Sequence, residues 1–164
     1  GMGPLATAAH KEKVLGYIEK GIEEGADLIM DGRGFTVDEY PNGFFVGPTL
    51  FDNVKPDMTI AKEEIFGPVV SVVRAKDLDE VINLINTRGF ANAACIYTND
   101  GATAREFKYR VIPSMVGINI GIAAPMSFFP FGGSGNSMYG DTKAHGQEIF
   151  NFFTDTKVVI QRWF

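Results

Sequence analysis

The chain has 164 residues, of which 45% are hydrophobic and 21% charged, so it suits one folded domain with a sizeable core and excludes disorder, collagen and coiled coil. Twenty Asp and Glu against fifteen Lys and Arg give a net charge of -5, and without a run of basic residues nucleic acid is not an expected partner. The single cysteine and the lack of a bilayer-length apolar stretch predict a cytoplasmic protein with no membrane association.

The first part of the chain alternates between helical and extended patterns. Apolar residues at helical spacing predict an amphipathic helix from Ala8 to Glu24, ending near Gly25. The short apolar run from residue 27 to 30 and the aromatic, β-branched run from 44 to 51 favour extended structure. A compact β-rich run from residue 69 to 73 predicts a buried strand.

The alternation continues in the second part. Asp77 can cap a helix with Glu80 three residues on, and Asp100 in an Asn-Asp-Gly turn can cap the next one. Short apolar runs from residue 93 to 97 and from 116 to 120 predict strands beside these helices. Strands that alternate with helices of about ten residues predict an α/β protein with parallel pairing.

The end of the chain has a different composition. After Ile122, proline and glycine punctuate an aromatic-rich segment, which predicts a long loop and the best site candidate by organisation alone. An apolar cluster from residue 149 to 153 follows, and then Val158 to Ile160 with a terminal Trp163-Phe164. An apolar strand at the chain end is an exposed edge unless another surface covers it.

Few residues are candidates for catalysis or for ligand binding by their type and spacing. Cys95 has small and apolar neighbours in mid-strand, which favours a buried structural cysteine over a nucleophile. His10 and His145 stand far apart without metal-ligand spacing, so no metal site is expected. The glycine-rich run at 131–140 fits neither nucleotide-binding motif. The adjacent Glu63 and Glu64 have two interpretations. They are a solvated stretch of the surface, or, because an aromatic ring follows at Phe66, they accept hydrogen bonds from the hydroxyls of a sugar.

The motif Glu64-Ile65-Phe66-Gly67-Pro68 resembles the Glu-x-Phe-Gly-Pro motif in the C-terminal region of the aldehyde dehydrogenase superfamily. The resemblance covers essentially the whole chain in the family's order, including Val116-Gly117-Ile118-Asn119, Pro130-Phe131-Gly132-Gly133 and the run from Phe153 to Val159. Residues 101–105, Tyr139-Gly140-Asp141 and the Arg162-Trp163-Phe164 ending are most similar to the CoA-acylating branch that oxidises methylmalonate semialdehyde.

This resemblance implies roles for three residues. Glu64 matches the glutamate that holds the nicotinamide ribose hydroxyls, and Phe66 matches the ring that packs against the nicotinamide end of NAD. Phe131 matches an aromatic residue that lines the substrate tunnel. The family's nucleophilic cysteine, general-base glutamate, oxyanion-hole asparagine and NAD-binding fold all lie upstream of the matching region. The chain therefore contains no expected catalytic residue, and Cys95 does not match the nucleophile.

The resemblance also implies the architecture. Residues 2–150 are expected to be a partial aldehyde dehydrogenase catalytic domain, with a parallel or mixed sheet and flanking helices, and 151–164 an oligomerisation strand; Gly1 is interpreted as a tag remnant. The intact parent would oxidise an aldehyde through a cysteine thioester with NAD, with CoA as a possible acyl acceptor. The fragment is expected to be inactive, to bind NAD weakly, and to have a second copy or the missing N-terminal part as partner. The alternative is a non-catalytic assembly module that pairs through its terminal strand.

Overall fold

The computed structural model describes residues 2–141 and 143–164; Gly1, the expected tag remnant, and Thr142 lie outside the described residues. The chain divides into two compact units, residues 1–76 and 77–164.

The first unit has two helices and three strands: α1 (Ala8–Glu23), β1 (Asp27–Met30), β2 (Thr49–Asp52), α2 (Thr59–Lys62) and β3 (Val69–Ser71). The sheet order is β1-β2-β3, with β1 antiparallel and β3 parallel to β2. Thr7 caps α1 by accepting a hydrogen bond from the His10 amide, which confirms the predicted helix.

The core of this unit lies between α1 and the sheet. Val14, Ile18 and Phe51 are fully buried, and Ile60 is nearly so. A Cβ atom at Gly21 would lie 3.0 Å from the Phe51 ring, so glycine at this position lets the helix approach β2 closely. The segment after α2, which carries the Glu-x-Phe-Gly-Pro motif, follows the same side of α1.

Two strand predictions were partly wrong. Only Thr49 to Phe51 of the predicted 44–51 run lie in a strand, because pairing with β3 begins at Thr49 and pairing with β1 at Leu50, and the preceding residues have no strand partner. In the 69–73 run the strand ends at Ser71, and Val70 is 59% exposed rather than buried. β3 lies at the sheet edge, where one face and one side of the strand are open.

The second unit contains three helices and four strands: α3 (Leu78–Asn86), β4 (Phe90–Ala91), β5 (Ala93–Ile96), α4 (Gly101–Arg110), β6 (Met115–Ile118), β7 (Ser134–Gly135) and α5 (Glu148–Phe153). Asp77 accepts from the Glu80 amide, and Asp100 from the amides of Ala102 and Thr103, so both predicted caps are confirmed. β5 and β6 are parallel, while β4 and β7 are antiparallel. Together the two units confirm a mixed α/β class.

The chain end forms no strand within the single chain, and its pairing with another subunit as an oligomerisation strand stays a prediction. The 149–153 cluster belongs to the helix α5, and residues 154–164 form neither helix nor strand and are exposed throughout. A strand requires a second strand to pair with, and residues 154–164 pair with none among the described residues of their own chain. Within residues 2–141 and 143–164, no helix has the length and apolar character that a membrane span needs.

Candidate functional site

The structure gives different environments to Glu63 and Glu64, which the sequence alone does not distinguish. Glu63 accepts a hydrogen bond of 2.6 Å from the Tyr17 hydroxyl of α1. That hydrogen bond to the carboxylate raises the pKa of the Tyr17 hydroxyl. Glu64 is exposed and has no hydrogen bond or ion pair among the described residues. Glu64 therefore presents a free carboxylate, whereas Glu63 is engaged in holding the segment to the helix.

Phe66 has an unusual backbone and an open ring. Its φ is 56°, in the left-handed region that a bulky residue seldom adopts, and such a residue costs about 1–3 kcal/mol. Its carbonyl accepts a hydrogen bond of 2.7 Å from Nε2 of His10, so this ring nitrogen carries the proton. The Phe66 side chain is 72% exposed. The backbone is thus held in place while the ring stays available for contact.

The Phe66 ring borders a cavity of about 380 Å³ in the first unit. Its other walls are mainly apolar and include Met2, Leu5, Val46 and Pro68. A free carboxylate can accept hydrogen bonds from two neighbouring hydroxyls, and an exposed ring can pack against a flat heterocycle. Among the described residues that border the cavity Phe66 is present and Glu64 is not, so it is the chemistry of the two side chains, and not a shared cavity, that suits the nicotinamide and ribose half of a dinucleotide.

The carboxylate of Glu24, the residue that follows α1, holds the beginning of α2. Both oxygens of Glu24 accept hydrogen bonds of 2.6 Å, one from the Thr59 amide and the other from the Thr59 hydroxyl. The Thr59 hydroxyl, followed by the amide, lowers the pKa of this carboxyl group. Sequence reasoning missed Glu24, Tyr17 and His10, because each acts on a residue at least 35 positions away.

Phe131, the predicted substrate-tunnel residue, lies in the second unit. Its backbone forms an antiparallel bridge with Ala144, with hydrogen bonds of 2.6 and 2.9 Å, and its ring lies 5.5 Å from the His145 ring at 31°. These contacts fix the loop in which the sequence placed the best site candidate. His145 itself has a φ of 69° and was not singled out as a partner of this ring.

Phe131 and Cys95 border one cavity of about 440 Å³, which Met115 and Ile122 also line. The sequence predicted a buried cysteine, and the structure corrects this, because Cys95 is only half-buried. Its strand β5 pairs with β6, and the cavity opens beside it. Among the described residues, no cluster of three or more His, Cys, Asp or Glu side chains is placed to hold a metal ion.

Comparison with known proteins identifies the class. The family model described as the aldehyde dehydrogenase family matches residues 1–159, nearly the whole chain. The chain therefore belongs to the aldehyde dehydrogenase family, whose motif was recognised at residues 64–68.

The more particular relatives are semialdehyde dehydrogenases. The malonate-semialdehyde dehydrogenase of Halalkalibacterium halodurans is 51% identical over 162 residues, which are 99% of this chain and 33% of the relative. A structure of a methylmalonate-semialdehyde dehydrogenase from Sinorhizobium meliloti 1021, complexed with NAD, has a TM-score of 0.94 at 44% identity, over 99% of this chain and 33% of that one. The structure of Mycobacterium tuberculosis aldehyde dehydrogenase complexed with NAD+ has a TM-score of 0.84 at 36% identity, over 94% of this chain and 31% of that one. The chain spans about a third of the length of these relatives.

Proposed function

We propose that this chain supplies the nicotinamide-binding and assembly part of an NAD-dependent, CoA-acylating semialdehyde dehydrogenase, and that the 164 residues alone do not catalyse the reaction. The observation that carries the proposal is the free carboxylate of Glu64, two residues from the exposed Phe66 ring, in the motif that the resemblance assigns to nicotinamide ribose. The NAD complex of the S. meliloti relative supports the cofactor. CoA as acyl acceptor rests on the resemblance to the methylmalonate branch.

Each residue has a definite task in this proposal. Glu64 accepts hydrogen bonds from the two ribose hydroxyls and so fixes the sugar, and Phe66 packs against the nicotinamide face. Phe131 restricts the path of the aldehyde. Bound NAD supplies the hydride acceptor. Cys95 is not assigned a catalytic task, because the described residues that line its cavity include no base or cationic side chain.

The test is NAD reduction with malonate or methylmalonate semialdehyde, with and without CoA. Two proteins are compared: the 164-residue chain, and a chimera in which it replaces the matched third of the H. halodurans enzyme. The isolated chain is expected to turn over at least about a thousandfold more slowly than the chimera, since a nucleophile and an oxyanion donor each contribute orders of magnitude.

The control variant is Cys95→Ala, which is expected to leave the chimera's turnover unchanged. Turnover by the isolated chain that disappears in Cys95→Ala would show that the nucleophile is misassigned. A folded chimera that neither binds NAD nor reduces it would overturn the proposal as a whole.

We further propose that residues 2–150 form the partial catalytic domain and 151–164 the assembly segment. Val158, Ile160 and Trp163 are 80%, 95% and 84% exposed, so these large apolar side chains are not covered by the described residues of their own chain. Pairing of this segment with a second copy or with the rest of the parent would bury it. The cytoplasmic location expected from the single cysteine stays a prediction.

The assembly prediction is tested by light scattering over a range of chain concentrations. We expect a dimer or larger species, and we expect Trp163→Ser to shift it towards the monomer, because burial of a tryptophan contributes up to about 3–5 kcal/mol. Tyr109→Ser is the matched control, since Tyr109 is 88% exposed on α4 outside the segment. A wild-type chain that stays monomeric at the highest concentration would exclude self-pairing.

A further inference from the structure

Two polar side chains of α1 and that of Glu24, the residue after the helix, contact the segment that carries the motif at a regular spacing. His10, Tyr17 and Glu24 are seven residues apart, close to two helical turns, so they lie along one face of the helix and its C-terminal end. Their partners are Phe66, Glu63 and Thr59 respectively. The partner numbers fall as the helix numbers rise, so residues 59–67, here called the motif segment, run antiparallel to α1.

The contacts are short and directional. His10 donates from Nε2 to the Phe66 carbonyl at 2.7 Å, and the Tyr17 hydroxyl donates to Glu63 at 2.6 Å. Glu24 accepts two hydrogen bonds of 2.6 Å from Thr59. Because both ends and the middle of the motif segment are bonded, it can neither slide along the helix nor rotate about its own axis.

Small residues bring the two elements close together between these contacts. A Cβ atom at Gly67 would lie 2.7 Å from Val14, and one at Gly21 would lie 2.9 Å from Ile60. Val14 and Gly21 occupy the same helix face, midway between the polar residues. A side chain at Gly67 or Gly21 would therefore require Val14 or Ile60 to shift, and glycine at both positions allows the close approach over which the hydrogen bonds form.

The contacts also determine which glutamate is free. Glu63 has an extended backbone, with φ -102° and ψ 148°, so its side chain and that of Glu64 point in opposite directions. Since Tyr17 holds Glu63 against the helix, Glu64 must point away from it. In the same way, His10 holds the carbonyl of Phe66, whose φ of 56° turns the chain, and the ring projects outward.

We propose that α1 is the positioning element of the cofactor site, with His10 and Tyr17 as positioning residues that hold Glu64 and Phe66 in their binding orientation. This inference rests on the proposed function of those two residues. Without the His10 bond, the left-handed conformation of Phe66 loses its support and the segment relaxes. NAD binding then requires the segment to be ordered first, which weakens affinity without removing any group that touches the cofactor.

The first test needs no cofactor. Hydrogen exchange of the peptide containing residues 63–68 is measured in the 164-residue chain and in His10→Ala, His10→Gln and Tyr17→Phe. We expect exchange in His10→Ala and Tyr17→Phe to be about tenfold faster, the factor that corresponds to the loss of one hydrogen bond. His10→Gln keeps an N–H donor and is expected to stay near wild type. Glu12→Ala is the control, because Glu12 is exposed on α1 and its side chain contacts no polar group among the described residues.

The second test measures NAD affinity and steady-state kinetics of the same variants in the chimera. We expect the KM for NAD to rise about tenfold in His10→Ala, with the KM for the semialdehyde unchanged and with recovery in His10→Gln. A merely structural defect would raise both constants and would not be rescued.

The outcomes separate the inference from the proposed function. If Glu64→Ala lowers NAD affinity but His10→Ala and Tyr17→Phe do not, the positioning inference is wrong and the proposed function stands. If exchange at 63–68 is the same in all variants, the inference is wrong whatever the chimera binds. A wild-type chimera without NAD affinity would overturn the proposed function, and hydrogen exchange would still decide whether α1 orders the segment.

Discussion

Replacement of Phe51 by alanine is expected to lower the free energy of unfolding by about 3–5 kcal/mol, the range for large aromatic residues truncated in a packed core. Phe51 is completely buried, and it lies in the middle strand of the first unit's sheet. Its ring packs against α1 where Gly21 permits close approach. Small domains have only about 5–15 kcal/mol of stability, so this one change removes a large part of it.

A second phenylalanine provides a matched control for this prediction. Phe66→Ala removes the same atoms from a side chain that is 72% exposed, and it is expected to change stability by no more than about 0.5 kcal/mol. Urea unfolding followed by circular dichroism measures both variants. Equal losses would contradict the placement of Phe51 in the core and of Phe66 at the surface.

The elements that the sequence predicted well are those set by local contacts. The Asp77 and Asp100 side chains cap α3 and α4 through amides only two or three residues away. By contrast, the extents of β2 and β3 depend on which distant residues pair with them. The apolar residues around Val70 predict that it is buried. It is exposed because its strand lies at the sheet edge. The chain end illustrates the same dependence, since its apolar residues form no strand without a partner.

The candidate site could be predicted only in part for the same reason. The motif resemblance pointed to Glu64 and Phe66, whereas spacing alone left Glu63 and Glu64 equivalent. Tyr17, 46 residues before Glu63, distinguishes them, and no local pattern reveals this contact. His10 was considered only as a metal ligand and rejected. Its contact with a backbone carbonyl 56 residues away leaves no signal in the sequence.

Substitution of Glu64 by alanine in the chimera is expected to weaken NAD binding by about 10- to 100-fold, because a hydrogen bond to a charged group contributes roughly 1.5–3 kcal/mol. The carboxylate has no partner among the described residues, so its removal disturbs no contact of the fold. Stability should therefore be unchanged, in contrast to Phe51→Ala. Calorimetric titration with NAD measures the affinity, and urea unfolding measures the stability.

Two further variants determine what the Glu64 side chain contributes. Glu64→Gln keeps one oxygen acceptor but loses the charge, so its affinity is expected to lie between wild type and alanine. Glu12→Ala removes an exposed carboxylate of α1 and is expected to bind NAD as the wild type does. If Glu64→Ala binds NAD normally, the ribose contact must lie elsewhere. Loss of a carboxylate makes this acidic chain less negative and cannot by itself weaken binding of an anionic dinucleotide. If Glu12→Ala weakens binding equally, the loss therefore comes from a general disturbance of the first unit, and the free carboxylate of Glu64 has no specific part in holding the cofactor.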